Sequence, residues 1–571
     1  MTTSAPTSAD FRAWAEHIYY RCHATVDRLA YELHQYHYAG VEHTEGADNL
    51  LDVLTQRVRR HGDARDYHNA LCVILADLIC DANDTAPGTA FSERFGTLGL
   101  ALITQLRQGA AGAPASARPD DPVTRNELVR FVSIFAPARM GEYLRDAGVP
   151  TSLPIIELLK KALPSPPGNL STVIGVQHLF GSTRPLIEAI ARGGVPSEGV
   201  FLIGKPYSSN HETMWTLRHA HGYFVHEGSV EFTGDGEYHH EADRHLEELL
   251  NRVLRWMGSP NVPADSRAVL IDDGGRAIRL LHDPSYDSIR PRISCVEQTR
   301  RGIWELEDID LQVPVVNVAE SEAKLVHESP LIAESVKAEL LTTLARLEEV
   351  GVPVARKALV IGFGAIGEAV ADVLSEANWQ IGVFDAKPDK RDAAKAKGYT
   401  VEATLDGALP EYCEIIGCTG VEALRMEHYP LLRDGAVLVS ASSSDIEFES
   451  WHLRGQATLF SAHSRRVDQH NLVYERFGNR LLYLGDLDHP SHFLYLVRIR
   501  GRRVFLVNGG FPVNMNGAMD PIPAEKIQLT RSLLYAGAMQ AARETRAGLH
   551  ALDGEAQKLI IDAFLAAMRA G

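Results

Sequence analysis

Between positions 11 and 33 apolar side chains recur every three or four residues, at Phe11, Trp14, Ile18, Cys22, Val26, Leu29 and Leu33. That spacing gathers them on one stripe of an amphipathic helix whose apolar face meets a core. Residues 66–82 and 98–108 carry the same period, and the Gly, Ala and Pro of AAGAPASARPDDP at 110–122 then break it. An all-helical N-terminal domain over residues 1–118 is therefore expected. After PSPPG at 164–168 the texture changes to short β-rich runs such as TVIGV and VFLIG, alternating with helical stretches such as RPLIEAIARGG. Strands that alternate with helices predict a parallel sheet with crossover helices.

From Lys357 the alternation resumes with a sharper motif. Lys357 to Ile361 reads as a buried strand, GFGAIG at 362–367 as a tight turn, and 368–377 as a helix. Gly362 allows the turn, Gly364 lets the backbone approach a pyrophosphate, and Gly367 lets the helix pack on the strand. The phosphates then sit at the helix N-terminus, over Ala365 and Ile366. A second strand, QIGVF, ends at Asp385, 18 residues beyond Gly367, where an acid binds ribose hydroxyls and favours NAD over NADP. The competing reading is a glycine turn that merely packs. EIIGCTG at 414–420 and AVLVSAS at 436–442 extend the sheet, and a helical region over 523–570 follows the strand-like VFLVNGGFPVN. The fold class expected is α/β: a Rossmann-type NAD-binding domain (346–510) inserted in an α/β substrate domain (119–345), with 511–571 returning to the substrate domain and supplying oligomerisation helices.

At 571 residues the chain is long enough for about three or four domains. Its 45% hydrophobic and 23% charged content is that of a globular protein and excludes disordered and fibrous classes. A formal charge of −17 makes nucleic acid and anionic membrane poor partners. The six scattered cysteines form no C-x-x-C pair, which fits a reducing cytoplasm, and the first residues carry no secretory signal.

Ordered segments then resemble the S-adenosylhomocysteine hydrolase (adenosylhomocysteinase) family over roughly residues 171–540. They are GVQHLFGSTRPLIEAI, KPYSSN around Ser208, LIDDGG, VEQTRRG, VNVAESEAK, GFGAIGEAVADVL, GCTG, LRDGAVLVSASSSDIEFE and GFPVNMNGAMDP. The resemblance implies a tightly bound NAD that transiently oxidises a ribose hydroxyl. The resulting ketone acidifies the neighbouring C–H, so that a leaving group departs and water adds before the alcohol is restored. It places His178, the Asp272–Asp273 pair, Glu297, Lys324 and Glu328 at catalytic positions. Lys324, desolvated beside the nicotinamide, would serve as a base. Beside the glycine turn and Asp385, the resemblance implies Thr299, Thr419, Gly420, Ser442 and Asn514 as cofactor-binding residues.

Several positions depart from the family pattern. Gln298 stands where the family has a glutamate, Arg300 and Arg301 replace threonines, and Ser329 follows Glu328 where the family has asparagine. Two family histidines become Ser443 and Asp520, and two adenine-holding residues become Phe180 and Ser182. The family's Lys-Tyr tail is replaced by FLAAMRAG. The cofactor lobe is thus kept and the substrate pocket rewritten. Arg300 and Arg301 fit either a clamp on a carboxylate or phosphate or a surface ion pair.

No metal site is expected. His34, His37 and His43, and the HHEADRH run at 239–245, lack a recognised ligand spacing. Cys295, Cys413 and Cys418 read as small buried hydrophobes. The expectation is a homo-oligomeric, NAD-dependent enzyme that transiently oxidises a hydroxyl of a small nucleoside or sugar-like substrate to enable elimination, addition or epimerisation. A dehydrogenase with net hydride transfer and a non-catalytic NAD-binding regulator are the alternatives.

Overall fold

The computed structural model describes residue 150 and residues 152–570, apart from 211–212, 215, 231, 233–235, 350–353, 457–489, 493, 516 and 519. The expected N-terminal helical domain, with His34, His37 and His43, lies outside the described residues. Residues Pro150–Thr213 and Gly222–Gly571 form one compact unit. Of the other unit, only Met214, a wide helical turn at Thr216–Ala220 and His221 are described.

The larger unit is built on two seven-stranded sheets. The first begins with β1 (Leu170–Val176), β2 (Val200–Ile203), β3 (Phe224–Val225), β4 (Arg267–Asp272), β5 (Ile293–Glu297) and β6 (Pro314–Asn317). The chain then builds the second sheet from β7 (Lys357–Ile361), β8 (Gln380–Phe384), β9 (Thr400–Val401), β10 (Glu414–Gly417), β11 (Ala436–Ser440), β12 (Tyr495–Ile499) and β13 (Arg502–Leu506). It returns with β14 (Gly548–Ala551), which pairs with β6 in the register Gly548↔Pro314 to Ala551↔Asn317. The order is β14-β6-β5-β4-β1-β2-β3, parallel throughout, and β12-β13-β11-β10-β7-β8-β9, parallel except for the β12–β13 pair. This is a Rossmann-type sheet inserted in an α/β domain.

The strands read as unbroken Val, Ile and Leu runs because helices cover both faces of each parallel sheet. Val269, Leu270 and Ile271 on β4 and Leu359 and Val360 on β7 are fully buried. The helix Ala524–Ala541 is buried along most of its length, with both polar and apolar side chains enclosed. It lies close to the first sheet at Gly537, where an added Cβ would stand 3.0 Å from Val296 and Val318. No described helix is long and apolar enough to cross a membrane.

In parallel sheets, loops at the carboxyl ends of the strands beside an order reversal form a crevice for ligands. In the second sheet, β7 lies between β8 and β10, and the glycine turn leaves its carboxyl end. In the first sheet, β1, β2, β4 and β5 end at the segments carrying His178, Lys205, Asp273 and Gln298. Residues distant in the chain therefore meet at one end of each sheet.

Candidate active site

A cavity of about 340 Å³ is lined from both sheets. It brings together His178, Asp273, Lys324 and Glu328 of the expected catalytic set with Gly364, Ala365, Ile366, Thr299, Thr419, Gly420, Ser442 and Asn514 of the expected cofactor set. Asp272, Glu297, Gly362, Gly367 and Asp385 are not on its wall.

On the substrate side, three side chains converge on Asp273. His178 Nε2 lies 3.4 Å from Asp273 Oδ2, while its Nδ1 shares a 2.5 Å hydrogen bond with the hydroxyl of Ser208. Lys205 forms a short charged hydrogen bond to Asp273 Oδ1, and Gln298 donates its amide to Oδ2. Burial opposes the charge on Lys205, but Asp273 outweighs it and raises the ammonium's pKa. Burial pushes Asp273 up, yet Lys205 and His178 bring it down to about 2. Burial holds the His178 imidazole at about 3 despite Asp273, so it is neutral at physiological pH. The result is a lysine–aspartate pair with a neutral imidazole beside it.

The other two acids expected in the site serve the loops around it. Asp272 is fully buried, and its oxygens accept the backbone N–H groups of Asp273 (2.8 Å) and Ile278 (2.9 Å), so it shapes the turn into the short helix Arg276–Leu280. Burial raises its carboxyl to about 6. Glu297 accepts from the backbone of Gly274 (3.2 Å), Gly275 (2.9 Å) and Thr299 (2.7 Å) and from the Thr299 hydroxyl (2.7 Å). Gly275 at φ +74 and Gly302 crowd around this carboxylate, which leaves no approach for substrate. Burial and Asp272 push the Glu297 pKa up, against the four donors that favour its anion. The acids at the strand ends divide accordingly, with Asp273 facing the cavity and Asp272 and Glu297 supporting it from below.

Lys324 and Glu328 sit on the wide helical turn Ala323–Glu328 that leads into the helix Ser329–Glu349. Lys324 Nζ lies 2.9 Å from Glu328 Oε2, and Glu328 Oε1 accepts the Thr530 hydroxyl at 2.5 Å. The amine, the carboxylate and the hydroxyl all line the cavity.

The cofactor side begins at the glycine turn. Gly362 has φ +94, and a Cβ there would lie 2.9 Å from the Cys418 carbonyl group, so only glycine suits it. A Cβ at Gly367 would stand 1.8 Å from Gly362 O, whereas one at Gly364 would meet nothing within 4 Å. The backbone at Gly364 therefore opens onto the cavity at the N-terminus of the helix Ala365–Glu376, as a phosphate requires. Asp385 accepts from Phe363 N (2.7 Å) and Lys387 N (2.8 Å), which ties the end of β8 to the turn. Asn514 is buried, and its Nδ2 has no partner among the described residues. An unpaired amide donor in the wall and an open glycine turn fit a dinucleotide that carries a carboxamide.

Three expected cofactor residues share a buried support, Glu447. It accepts from the backbone of Thr419 and Gly420, both at 2.7 Å, from the Thr419 hydroxyl at 2.9 Å, and from Ser442 Oγ. Burial raises the Glu447 carboxyl to about 7, against these hydrogen bonds. Thr299 is engaged in the same way: besides contacting Glu297, its hydroxyl accepts Gly302 N at 2.9 Å and caps the helix Arg300–Glu305. The hydroxyls of Thr299, Thr419 and Ser442 thus hold the rim in shape.

Ser182 and Asp520, two positions that depart from the family pattern, bond to one another beside Arg531, which lines the cavity with Phe180. Ser182 donates its hydroxyl (2.7 Å) and backbone N–H (3.2 Å) to Asp520 Oδ1. Arg531 donates Nε to Ser182 Oγ at 3.2 Å and Nη1 to Gln177 Oε1 at 3.4 Å, and its guanidinium lies 5.8 Å from the centre of the Phe180 ring. Burial lowers the Arg531 pKa and raises Asp520 to about 6. Arg301 meets the ion-pair alternative, and both arginines line the cavity. Arg300 stacks over Trp304 at 5.7 Å, and Arg301 donates to Gly420 O at 3.0 Å while lying 3.5 Å from Glu305.

A smaller cavity of about 60 Å³ shares Asp273, Thr299, Arg301 and Ser443 with the larger one and is also lined by Lys205, Tyr207 and His239. His239, from the HHEADRH run, bonds Ser444 Oγ through Nε2 at 3.1 Å, and His240 on the same run is exposed. Among the described residues no group of His, Cys, Asp and Glu is placed to hold a metal ion. Cys295, Cys413 and Cys418 are buried free thiols whose pKa values burial raises.

Lys205, Thr530, Arg531 and Glu447 were not among the expected site residues. Lys205 was visible as the lysine directly after VFLIG, at the end of a strand. Arg531 and Thr530 lie in a helix whose pattern reads as core, and nothing local marks them.

No family model matches the chain. It is 30% identical over 374 residues to an uncharacterized protein of Mycobacterium tuberculosis, covering 65% of this chain and 64% of that one, so the match spans under two thirds of the relative's length. It is 26% identical over 318 residues to the S-inosyl-L-homocysteine hydrolase of Methanococcus maripaludis, covering 54% and 68%. Identity to the adenosylhomocysteinase of Saccharolobus solfataricus is 23% over 380 residues, covering 62% and 83%. Among solved structures, the A chain of dipicolinate synthase from Bacillus subtilis matches at a TM-score of 0.27 and 10% identity over 56% of this chain and 88% of that one, too distantly to bear on the site.

Proposed function

We propose that this chain, a divergent relative of the adenosylhomocysteinases, uses a tightly held NAD to oxidise a hydroxyl of a nucleoside or sugar-like substrate transiently. The observation that carries the reading is the Lys324–Glu328–Thr530 relay on the same cavity wall as the open Gly364 turn and the unpaired Asn514 amide. The names of the relatives, S-inosyl-L-homocysteine hydrolase and adenosylhomocysteinase, favour a purine nucleoside thioether as the substrate class.

The glycine turn would hold the pyrophosphate, Asp385 the ribose hydroxyls and Asn514 the carboxamide. A NAD held there would supply a hydride acceptor for the carbon that bears the substrate hydroxyl. The Lys324 ammonium would first give a proton to Glu328, whose second oxygen Thr530 keeps oriented, and the neutral amine so formed would take the proton of that hydroxyl. Asp273, held ionised by Lys205, orients a neighbouring hydroxyl, and the neutral His178 accepts or returns a proton beside it. With Gln298 in place of an acid, the amide positions Asp273 and exchanges no proton itself.

The test is to denature the purified full chain, identify released NAD and NADH, and screen nucleosides and polyols for those that reduce the bound cofactor. Reduction by none of them sinks the proposal. Net dehydrogenation is the second reading, favoured by Ser443 and Asp520 standing where the family pattern has imidazoles. Free NADH that accumulates over many turnovers would establish that reading instead.

A further inference from the structure

The smaller cavity beside the active site is a built site of its own. It measures about 60 Å³, and one water occupies about 10–15 Å³ of such space, so it has room for a few waters and not for a nucleoside. Two polar atoms in its wall are buried and unsatisfied. The Tyr207 hydroxyl is fully buried and finds no acceptor for its proton, and His239, 9% exposed, leaves Nδ1 without a partner among the described residues. Protein interiors leave few such groups unpaired unless water or a ligand completes them.

The rest of the wall says what a water there meets. Lys205 and Asp273 line the chamber as an ion pair, and Asp273, Thr299, Arg301 and Ser443 line the larger cavity as well. The imidazole is held from its far side, on the first turn of the helix Tyr238–Met257, by the 3.1 Å bond between Nε2 and Ser444 Oγ. Burial, Arg276 and Arg301 keep its pKa well below the ordinary value, so it is neutral. With its Nε2–H given to Ser444, Nδ1 is an acceptor. A water can then give one hydrogen to Nδ1 and one to Asp273 and accept from Tyr207, which leaves one lone pair for an electrophilic carbon in the larger cavity. An oxygen that is bonding to carbon becomes far more acidic than water, so even a weakly basic imidazole takes its proton.

We propose that this chamber holds the water that adds to the oxidised substrate, with His239 as its base and Tyr207 orienting it. The inference rests on the transient-oxidation reading above and deepens it, because oxidation then prepares an addition rather than an epimerisation. With a ribose 3′-ketone, the acidified C–H is at C4′, and loss of that proton together with the group on C5′ gives a C4′–C5′ double bond. The water oxygen bonds C5′ and one of its protons passes to His239 Nδ1. The π pair moves into the ketone as an enolate, and C4′ recovers the proton it lost. In the reverse sequence the imidazolium returns its proton and a 5′-hydroxyl leaves as water, so exchange of the 5′-oxygen with solvent reports the step.

The test incubates the NAD-loaded full chain with adenosine and with inosine in oxygen-labelled water. Fragmentation mass spectrometry locates label at the 5′-oxygen, and absorbance follows bound NADH. The wild type should reduce NAD and label the 5′-oxygen of at least one of the two. His239→Gln, which keeps an acceptor for water but cannot take its proton, should lower labelling by about 10²-fold more than it lowers NAD reduction. Tyr207→Phe should show the same split at about 10-fold. Equal loss of both readouts, unchanged labelling in both variants, or NAD reduction without 5′-label in the wild type would each overturn the inference. Reduction by neither nucleoside would sink the oxidation reading and the inference with it. A crystal structure of the full chain should also show an ordered water bonded to His239 Nδ1, and an empty chamber would overturn the proposal by itself. The wild-type label, that water and Tyr207→Phe decide the matter should His239→Gln fail to fold.

Discussion

The ammonium of Lys324 stands 2.9 Å from Glu328 Oε2, one helical turn further along the chain, and the other oxygen of that carboxylate receives the hydroxyl of Thr530. Two groups close in sequence are thereby tied to a third that is 202 residues from Glu328. The pair opens onto the cavity that also holds Gly364 of the glycine turn, and it supplies the path for the proton transfer proposed above.

Removing either end of that path should stop chemistry and spare the fold. Lys324→Met and Glu328→Gln are expected to slow cofactor reduction by about 10²–10⁴-fold, the usual worth of a positioned acid or base. The NAD content of the purified protein should stay unchanged. Single-turnover absorbance of NADH, with cofactor quantified after denaturation, checks both statements.

The glycine turn separates packing from binding. Gly367→Ala drives a Cβ to 1.8 Å from Gly362 O and should cost roughly 1–3 kcal/mol of stability. Gly364→Ala meets no atom within 4 Å, so its melting temperature should hold while the methyl group intrudes on the cavity and retained NAD falls. Thermal melts run beside cofactor quantification separate the two outcomes.

Lys205 and Asp273 should behave as a unit. Lys205→Met leaves a buried carboxylate without its cation and is expected to destabilise the protein by roughly 3–5 kcal/mol. Adding Asp273→Asn removes the stranded charge, so the double variant should be more stable than the sum of the single effects. Denaturant titrations of the four proteins measure the coupling, and strict additivity would contradict the pairing.

Glu447 sets a pH dependence. Its carboxyl is raised from 4.5 to about 7 in the folded chain, so the folded state keeps a proton that the unfolded state has lost. The contribution is fully present below pH 4.5 and lost as pH rises through about 7. By linkage, that raised pKa corresponds to at most about 3 kcal/mol. Glu447→Gln keeps an oxygen for the Thr419 and Gly420 N–H groups and Ser442 but sets an amide donor against the Thr419 hydroxyl, so it should be less stable at pH 4.5, and its stability should fall less steeply from pH 4.5 to 7. Denaturation midpoints across that range test the slope.

Much of the architecture was legible along the chain because its causes are local. A run such as KALVI must be buried on both faces, and the three glycines that follow it are needed for a sharp turn and for close approach, so strand, turn and helix could be read in order. The return of the last strand was less visible: GLHA at β14 has little β-branched character and pairs only because the sheet edge at β6 receives it. The acids of the site were recognisable as a group, but their separate duties were not. Asp272 ends β4 and spends its oxygens on the backbone N–H groups of Asp273 and Ile278, whereas Asp273, one residue past the strand, meets Lys205 and Gln298 at the larger cavity.

The amino-acid sequence by itself determined the α/β alternation, the dinucleotide turn and the types of side chain near the site, because each depends on periodicity or on backbone geometry within a few residues. Tertiary structure decided which of those side chains face the cavity. It alone brought Arg531 to Phe180 and Ser182, Thr530 to Glu328, and Lys205 to Asp273. Such contacts join segments from different strands and helices, and their energies depend on burial and distance, which no local pattern encodes.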